Sequence, residues 1–223
     1  MRILVLANAS DDDAGFVGEA LEELGAALVT VHRESQEPLP HHAGFDAIVA
    51  LGSEWSVYWD HVQVAVEREA NFLRDAVAAD VPVLGLCFGG QILSHALGGS
   101  VERAPEPEIG WYAIESDVPD LIPHGPYVQW HSDRFVLPPG ARELARSSVG
   151  PQAYTVGSAV GLQFHPEASP EVVRRWVTGG IDELTANGGT AAGFVAESDD
   201  RRAEARERAA LIVQTFLDGT LRS

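Results

Sequence analysis

The 223-residue sequence contains no lysine, a single cysteine and a single methionine. Its 15 basic residues are all arginine and face 33 acidic residues, which gives a formal net charge of −18. A surface of that sign repels the phosphates of nucleic acids and of anionic lipid headgroups. We therefore expect neither a nucleic-acid partner nor a membrane partner.

A lone cysteine cannot form a disulfide within the chain, and no apolar run approaches the roughly 20 residues of a membrane span. The opening residues MRILVLANASDDD are apolar over too short a stretch for a signal peptide. We therefore expect a cytoplasmic protein. The length and a hydrophobic content of 45% are sufficient for one core, so we predict a single domain over residues 1–223.

Apolar runs alternate with amphipathic stretches through the first hundred residues. Short continuous runs of Val, Ile and Leu are typical of parallel strands that helices cover on both faces. The pattern predicts an α/β three-layer sandwich with a mostly parallel central sheet. The predicted strands are 2–9, 26–32, 46–52 and 81–86, and the predicted helices are 15–24, 61–79 and 89–97.

Between residues 100 and 165 the pattern changes to short strand-like pieces separated by Pro and Gly. These pieces, at 110–116, 126–140 and 152–165, predict antiparallel strands added to the sheet. From about residue 170 we predict a helical tail, with helices at 170–177 and 201–219. The Gly-rich stretch 179–193 predicts an exposed connection or a short helix.

Cys87 lies in the sequence GLCFG, between a predicted buried strand and a predicted helix. This is the setting of a nucleophile elbow, in which a strained turn holds the reactive atom clear of the sheet and flanking glycines avoid steric clashes. The helix N-terminus would also stabilise a thiolate. Cysteine is also among the most buried residue types, and a lone cysteine beside a glycine is more often plain core. The choice therefore depends on whether the chain supplies a base, an orienting acid and oxyanion donors.

The segment GLQFHPEAS supplies a base and an acid. His165 and Glu167 are two residues apart, and the period of two in extended chain places both side chains on one face. His165 could take the thiol proton while Glu167 orients the imidazole. His131 with Asp133 is a second, less complete pair for the same role.

Further motifs complete a pattern that resembles the class I glutamine amidotransferases. The resemblance rests on Gly85, Cys87, Gly89 and Gln91, on the His-Pro-Glu at 165–167, on EIGW at 108–111 and on WHSD at 130–133. It spans roughly residues 1–177 and implies a flavodoxin-like sheet. It also implies a catalytic triad of Cys87, His165 and Glu167.

The resemblance implies hydrolysis of the glutamine side-chain amide through a thioester on the cysteine, with no cofactor and no metal. Ammonia would pass to an acceptor. The α-amino and α-carboxylate groups of glutamine would be bound by Gln91, His131, Ser132 and Asp133. The oxyanion donors would be the backbone N–H of Phe88 and that of Gly52 or Ser53.

The loop after the third predicted strand departs from that family pattern. The family usually has Gly-Gly-Pro, whereas this chain has Gly52-Ser53-Glu54. Glu54 would bring negative charge toward an oxyanion site, so we hypothesise that a bound substrate or subunit reorganises the loop. Trp55 and Tyr58 in the same loop could cap the pocket or face a partner subunit.

Three functions remain open. The chain could hydrolyse free glutamine for a separate synthetase subunit, because nothing in it resembles an ATP-binding synthetase domain or a phosphate loop. It could hydrolyse γ-glutamyl peptides or amines with the same triad. It could instead be a weakly active binding or regulatory protein that keeps the fold. The acidic run at 11–13 indicates helix capping, not a metal site.

Overall fold

The computed structural model describes residues 1–222 and assigns ten strands and seven α-helices within them. The strands are β1 (Arg2–Ala7), β2 (Ala27–His32), β3 (Ala47–Ala50), β4 (Val83–Leu86), β5 (Ser100–Tyr112), β6 (Glu115–Ser116), β7 (Tyr127–Val136), β8 (Arg142–Ser147), β9 (Gly150–Val156) and β10 (Ala159–Leu162). The helices are α1 (Gly15–Glu23), α2 (Gln63–Ala78), α3 (Phe88–Ala96), α4 (Pro170–Gly179), α5 (Ile181–Ala186), α6 (Ala191–Asp200) and α7 (Arg202–Leu217).

The main sheet has the strand order β2-β1-β3-β4-β10-β9-β8-β6, and its first five strands are parallel. Successive residues of β1 enter different cores: Ile3 packs in the layer with α1 and α7, and Leu4 packs in the layer with α2 and α3. Both residues are completely buried. A strand that is covered on both faces needs a continuous run of apolar residues. Such runs in the sequence therefore predicted β1, β3 and β4. The three-layer α/β prediction is confirmed.

The antiparallel region differs in part from the prediction. β9 and β6 extend the main sheet antiparallel, as expected, but β8, which pairs with both, lies outside the predicted strand pieces. β5 and β7, however, pair with each other in a separate two-stranded sheet, whose apolar face packs on α4 and α6 through Ile109, Val128, Val173 and Phe194. β10 pairs antiparallel with β9 but parallel with β4. Alternation of apolar and polar residues predicts a strand, but it does not show which other strand pairs with it.

From residue 170 onward the described chain is mostly helical. α4 begins after Ser169, whose hydroxyl accepts a 3.2 Å hydrogen bond from the backbone N–H of Val172, with Pro170 in its first turn. The stretch 179–193, predicted as an exposed connection or a short helix, contains the short helix α5. α6 follows where we predicted no helix. No helix within residues 1–222 has the length and apolar character needed to cross a membrane.

Candidate active site

Cys87 occupies the single residue between β4 and α3. Its backbone has φ 51° and ψ −109°, a conformation that residues with a side chain rarely adopt. Two backbone hydrogen bonds hold it there: the N–H of Cys87 donates to Leu162 at 2.8 Å, and its carbonyl accepts from Gln91 at 2.9 Å. The turn is therefore a strained elbow between a strand and a helix, as the sequence predicts.

The glycines beside the elbow leave no room for side chains. A Cβ on Gly89 would lie 1.9 Å from the carbonyl oxygen of Ala50, and one on Gly85 would lie 2.4 Å from the carbonyl oxygen of Gly89. Both distances are far below van der Waals contact. The first turn of α3 can therefore pack directly on β3 and β4 only because these two residues are glycine.

His165 and Glu167 lie at the end of β10, and their side chains contact each other. Nδ1 of His165 is 2.7 Å from Oε1 of Glu167, and both side chains are nearly completely buried. The bond leaves Nε2 as the ring nitrogen able to exchange a proton. Nε2 has no regular hydrogen-bond partner in the described chain, and the sulfur of Cys87 is near enough to interact with the imidazole electrostatically.

The pKa of His165 is raised well above its ordinary value. Burial disfavours the charged ring, but the attraction to Glu167 and to Cys87, together with the hydrogen bond to Glu167, outweighs the burial. A raised pKa favours the protonated imidazolium. The ring is therefore suited to stabilise a thiolate and to donate a proton to a leaving group.

Asp11 and Trp176 flank the imidazole from a side that the sequence patterns did not indicate. The ring of Trp176 packs edge-on against His165 with centroids 4.6 Å apart, and its indole N–H donates to Oδ2 of Asp11 at 2.5 Å. Burial raises the pKa of Asp11, and repulsion from Glu167 adds to the rise. In the acidic run predicted to cap α1, Asp13 accepts from the N–H of Gly15 at 2.8 Å, but the N-cap residue is Ala14, which makes no side-chain cap. Asp11 instead faces the base.

The loop after β3 lies against both candidate catalytic groups. A Cβ on Gly52 would come within 3.1 Å of Cε1 of His165 and 3.8 Å of Cβ of Cys87. The hydroxyl of Ser53 accepts a 3.0 Å hydrogen bond from the N–H of Trp55, which orders the turn. Glu54 is exposed, so its charge is directed to solvent. Across the site, Phe88 begins α3 and is buried.

The segment from His131 to Asp133 lies on β7, next to Gln91 of α3. The side-chain amide of Gln91 donates to the carbonyl oxygen of Asp133 at 3.1 Å. The ring of His131 lies 3.0 Å from that oxygen through Nδ1 and 3.1 Å from Oε2 of Glu108 through Nε2. His131 thus contacts the Glu108 carboxylate and only the backbone of Asp133, while Ser132 between them is partly buried.

The carboxylate of Asp133 binds the loop after β3. Tyr58 donates to Oδ1 at 2.8 Å, and the hydroxyl of Ser56 donates to Oδ2. Trp55 packs edge-on against Phe88 with centroids 6.4 Å apart, whereas Trp59 is 40% exposed. Tyr58 therefore joins the loop to β7, and Trp55 packs on the first residue of α3.

A family model described as glutamine amidotransferase class-I matches residues 17–176. The match contains the elbow, the His-Glu pair and the β7 segment. The chain belongs to the class I glutamine amidotransferases.

Several relatives in this family are similar over most of the chain. One subunit of the glutamine-hydrolyzing GMP synthase of Saccharolobus solfataricus is 34% identical over 65% of this chain and 78% of its own. A glutamine amidotransferase-like protein of Salmonella typhimurium, YfeJ, is 31% identical over 82% of this chain and 83% of its own. Of the longer GMP synthase of Aeropyrum pernix, the chain spans only 34%.

Among solved structures, a glutamine amidotransferase from Methylobacillus flagellatus superimposes with a TM-score of 0.85 at 26% identity, covering 97% of this chain and 94% of the other. That coverage extends well beyond the part matched by the family model. Within residues 1–222 of this chain, no cluster of three or more His, Cys, Asp or Glu side chains could hold a metal ion.

Proposed function

We propose that this amidotransferase hydrolyses the side-chain amide of glutamine through a thioester on Cys87. The observation that carries the proposal is the elbow: a strained cysteine at a helix N-terminus, in electrostatic contact with a buried imidazole that is itself bonded to a carboxylate. Strain of this kind persists only where the surrounding structure enforces it, and it concentrates at functional sites. The same three groups suffice for nucleophilic acyl transfer.

In the first half of the reaction the Cys87 thiolate attacks the side-chain carbonyl carbon of glutamine. A carbon–sulfur bond forms while the carbonyl π electrons move to oxygen, and the backbone N–H groups of Phe88 and of Ser53 or Gly52 stabilise that oxyanion. The carbon–nitrogen bond then breaks, and the imidazolium of His165 donates a proton to the departing nitrogen. Glu167 stabilises the imidazolium throughout.

In the second half a water molecule loses a proton to His165 and attacks the thioester carbon. The carbon–sulfur bond breaks, which restores the thiolate and releases glutamate. In this proposal Gln91, whose side chain already bonds to β7 at Asp133, holds the α-amino and α-carboxylate groups of the substrate together with residues 131–133.

We further propose that the ammonia passes to an acceptor on a separate synthetase subunit. The support is that the chain aligns with 78% of the GMP synthase subunit of Saccharolobus solfataricus, but with 34% of a GMP synthase that is a longer chain. The elements of this chain supply the amide-hydrolysing half of such a reaction. Which acceptor receives the ammonia depends on the partner.

A γ-glutamyl peptide or amine is the second candidate substrate, and one observation favours it. α5 and α6 lie outside the part of the chain that the family model matches, yet they pack beside the site: Trp130 donates to Glu183 at 2.9 Å and contacts Phe194 with centroids 5.8 Å apart. The carbonyl of Trp130 is 3.9 Å from the Cys87 sulfur. α5 and α6 would therefore contact a substrate that extends beyond the size of glutamine.

A weakly active binding protein is the third candidate, and the loop geometry weighs against it. A weakly active protein was expected if Glu54 brought negative charge toward the oxyanion site. Glu54 is instead exposed, and Gly52 is the loop residue that lies against Cys87 and His165.

The deciding experiment measures glutamate release from glutamine, a γ-glutamyl peptide and a γ-glutamyl amine. Cys87→Ala and His165→Gln should each lose about 10⁴-fold or more in kcat, as expected when one member of a triad is removed. His95→Gln is the matched control, because His95 lies at the far end of α3 and contacts Glu67.

Covalent trapping gives an independent readout. A diazoketone analogue of glutamine should add one adduct per chain, and the adduct should be absent from Cys87→Ala. If the wild-type chain neither releases glutamate from any of the three substrates nor forms the adduct, the proposed hydrolysis is wrong and the binding-protein alternative holds.

A further inference from the structure

Arg33, the residue after β2, is a buried arginine beneath the loop that follows β3. It is 3% exposed. Its Nη2 donates to the carbonyl of Leu51 at 2.8 Å, and its Nη1 donates to the carbonyl of Gly52 at 3.2 Å and to Oδ1 of Asn8 at 3.0 Å. One guanidinium group therefore holds two successive carbonyls of the loop.

The direction of a peptide carbonyl also sets the direction of the next N–H. Peptide units are planar and trans, so the C=O and N–H of one unit point to opposite sides. The carbonyls of Leu51 and Gly52 share their peptide units with the N–H groups of Gly52 and Ser53. Because Arg33 draws both carbonyls toward itself, both N–H groups turn away from it.

Gly52 also lies against the catalytic groups. A Cβ on Gly52 would meet His165 at 3.1 Å and Cys87 at 3.8 Å. The peptide units that Arg33 fixes are therefore those nearest the candidate nucleophile and base. The guanidinium carbon also lies 5.1 Å from the ring centroid of Phe88, the residue that would supply the other oxyanion donor.

A buried counterion fixes the guanidinium itself. Oε2 of Glu69, on α2, lies 2.8 Å from Nε of Arg33, and the two side chains are 4% and 2% exposed. By engaging Nε, Glu69 leaves both Nη atoms directed at the loop and at Asn8. Buried ion pairs are weak sources of stability because desolvation cancels much of the attraction. We therefore attribute the Arg33–Glu69 pair to the placement of the guanidinium donors and not to stability.

We propose that Arg33, oriented by Glu69, is a positioning residue that sets the oxyanion-binding peptides of the loop after β3. The inference rests on the proposed amide hydrolysis. In this chain Ser53 stands where the family usually has a second glycine, and Arg33 enforces on Ser53 the peptide orientation that the oxyanion requires. Arg33 touches neither the substrate nor the reacting atoms.

The test compares Arg33→Met with the double variant Arg33→Met/Glu69→Leu. The single variant leaves the Glu69 carboxylate buried without its partner and is at risk of misfolding, whereas replacing a whole buried pair with apolar residues is usually tolerated. Arg74→Met is the matched control. Arg74 lies on α2, like Glu69, and its Nε–H donates to the backbone carbonyl of Ala96 at 2.7 Å, as the Arg33 guanidinium does to the loop carbonyls.

We expect the double variant to lose roughly 100-fold in kcat for glutamine, comparable to removing one oxyanion donor, with KM changed by less than about threefold. Alkylation of Cys87 by iodoacetamide requires an accessible thiolate but no oxyanion site, so its rate should stay within about twofold of wild type. A merely structural role would slow both reactions together. Arg74→Met should change neither.

The outcomes separate the two proposals. If the wild type hydrolyses glutamine and the folded double variant keeps its kcat within about twofold, the role of Arg33 is wrong and the proposed function stands. A parallel fall in kcat and alkylation rate also overturns the positioning role. If the wild type alkylates at Cys87 but hydrolyses none of the three substrates, the proposed function fails, and the inference fails with it.

Discussion

The phenol of Tyr58 donates a 2.8 Å hydrogen bond to Oδ1 of Asp133. This bond joins the loop after β3 to β7 across the candidate site, and Ser56 donates to the other oxygen of the same carboxylate. Cys87, beside the start of that loop, is only 5% exposed. We therefore expect the loop to separate from Asp133 when a molecule as large as glutamine reaches the sulfur.

Tyr58→Phe should therefore make Cys87 more accessible. A hydrogen bond to a charged group contributes about 1.5–3 kcal/mol, so its loss should shift the loop toward the open form by about tenfold or more. We expect the rate of Cys87 alkylation by iodoacetamide to rise by a similar factor. The control is Tyr112→Phe, at an exposed tyrosine at the end of β5. Equal rates in both variants would show that the Tyr58 bond does not limit access.

Glu167→Gln should move the alkaline limb of the activity profile to lower pH. His165 has a raised pKa, and its imidazolium is the proposed proton donor, so activity should be retained below that pKa and lost as pH rises through it. For the wild type the limb should therefore lie well above pH 6.5. Glutamine in place of Glu167 removes the attraction that raises the pKa, so the limb should fall by about one pH unit or more.

The measurement is the pH dependence of kcat/KM for glutamine. A second measurement, titration of the His165 ring protons by NMR, follows the protonation of the same imidazole without turnover. An alkaline limb unmoved in Glu167→Gln would show that another group donates the proton.

Asp11→Asn should move the same limb in the same direction by a smaller amount. Asp11 and His165 interact electrostatically, and each charge favours the other. Trp176 lies between them, since it bonds to Asp11 and packs on the ring of His165. Asparagine keeps an acceptor for the indole N–H and removes only the charge, so the ring of Trp176 should stay in place. Asp12→Asn is the control, because Asp12 pairs with His32 on the surface. A limb shift of equal size in both variants would indicate a general surface-charge effect.

Strands β1 to β4 and the catalytic candidates could be predicted from the sequence because their signals are local. β1, β3 and β4 are apolar without interruption since both faces are buried, and the elbow needs glycines at fixed positions around Cys87. His165 and Glu167 are two residues apart, which allowed their contact to be expected. Each of these signals lies within one short segment.

The rest of the site depends on contacts between residues distant in sequence. Arg33 reaches Leu51 and Gly52 from the end of β2, and nothing around Arg33 in the sequence marks it as buried. Asp11 looks like a capping residue until folding brings Trp176 to it. β8 was not predicted because its residues RELARS are largely polar. Such features follow from strand order and packing, which periodicity does not specify.

Cys87→Gly should be more stable than Cys87→Ala, the reverse of the usual order. Both variants lose the sulfur, and they differ only in a Cβ at a residue with φ 51°. A side chain in so sparsely populated a conformation costs about 1–3 kcal/mol, whereas glycine adopts it freely. After allowing for the greater chain entropy of unfolded glycine, we expect the glycine variant to be more stable by about 1 kcal/mol in urea unfolding. In α7, Ala205→Gly should instead lower stability, since no positive φ is found there among the described residues. If Cys87→Ala proves as stable as Cys87→Gly, the elbow stores no strain, and the strain argument for its function is lost.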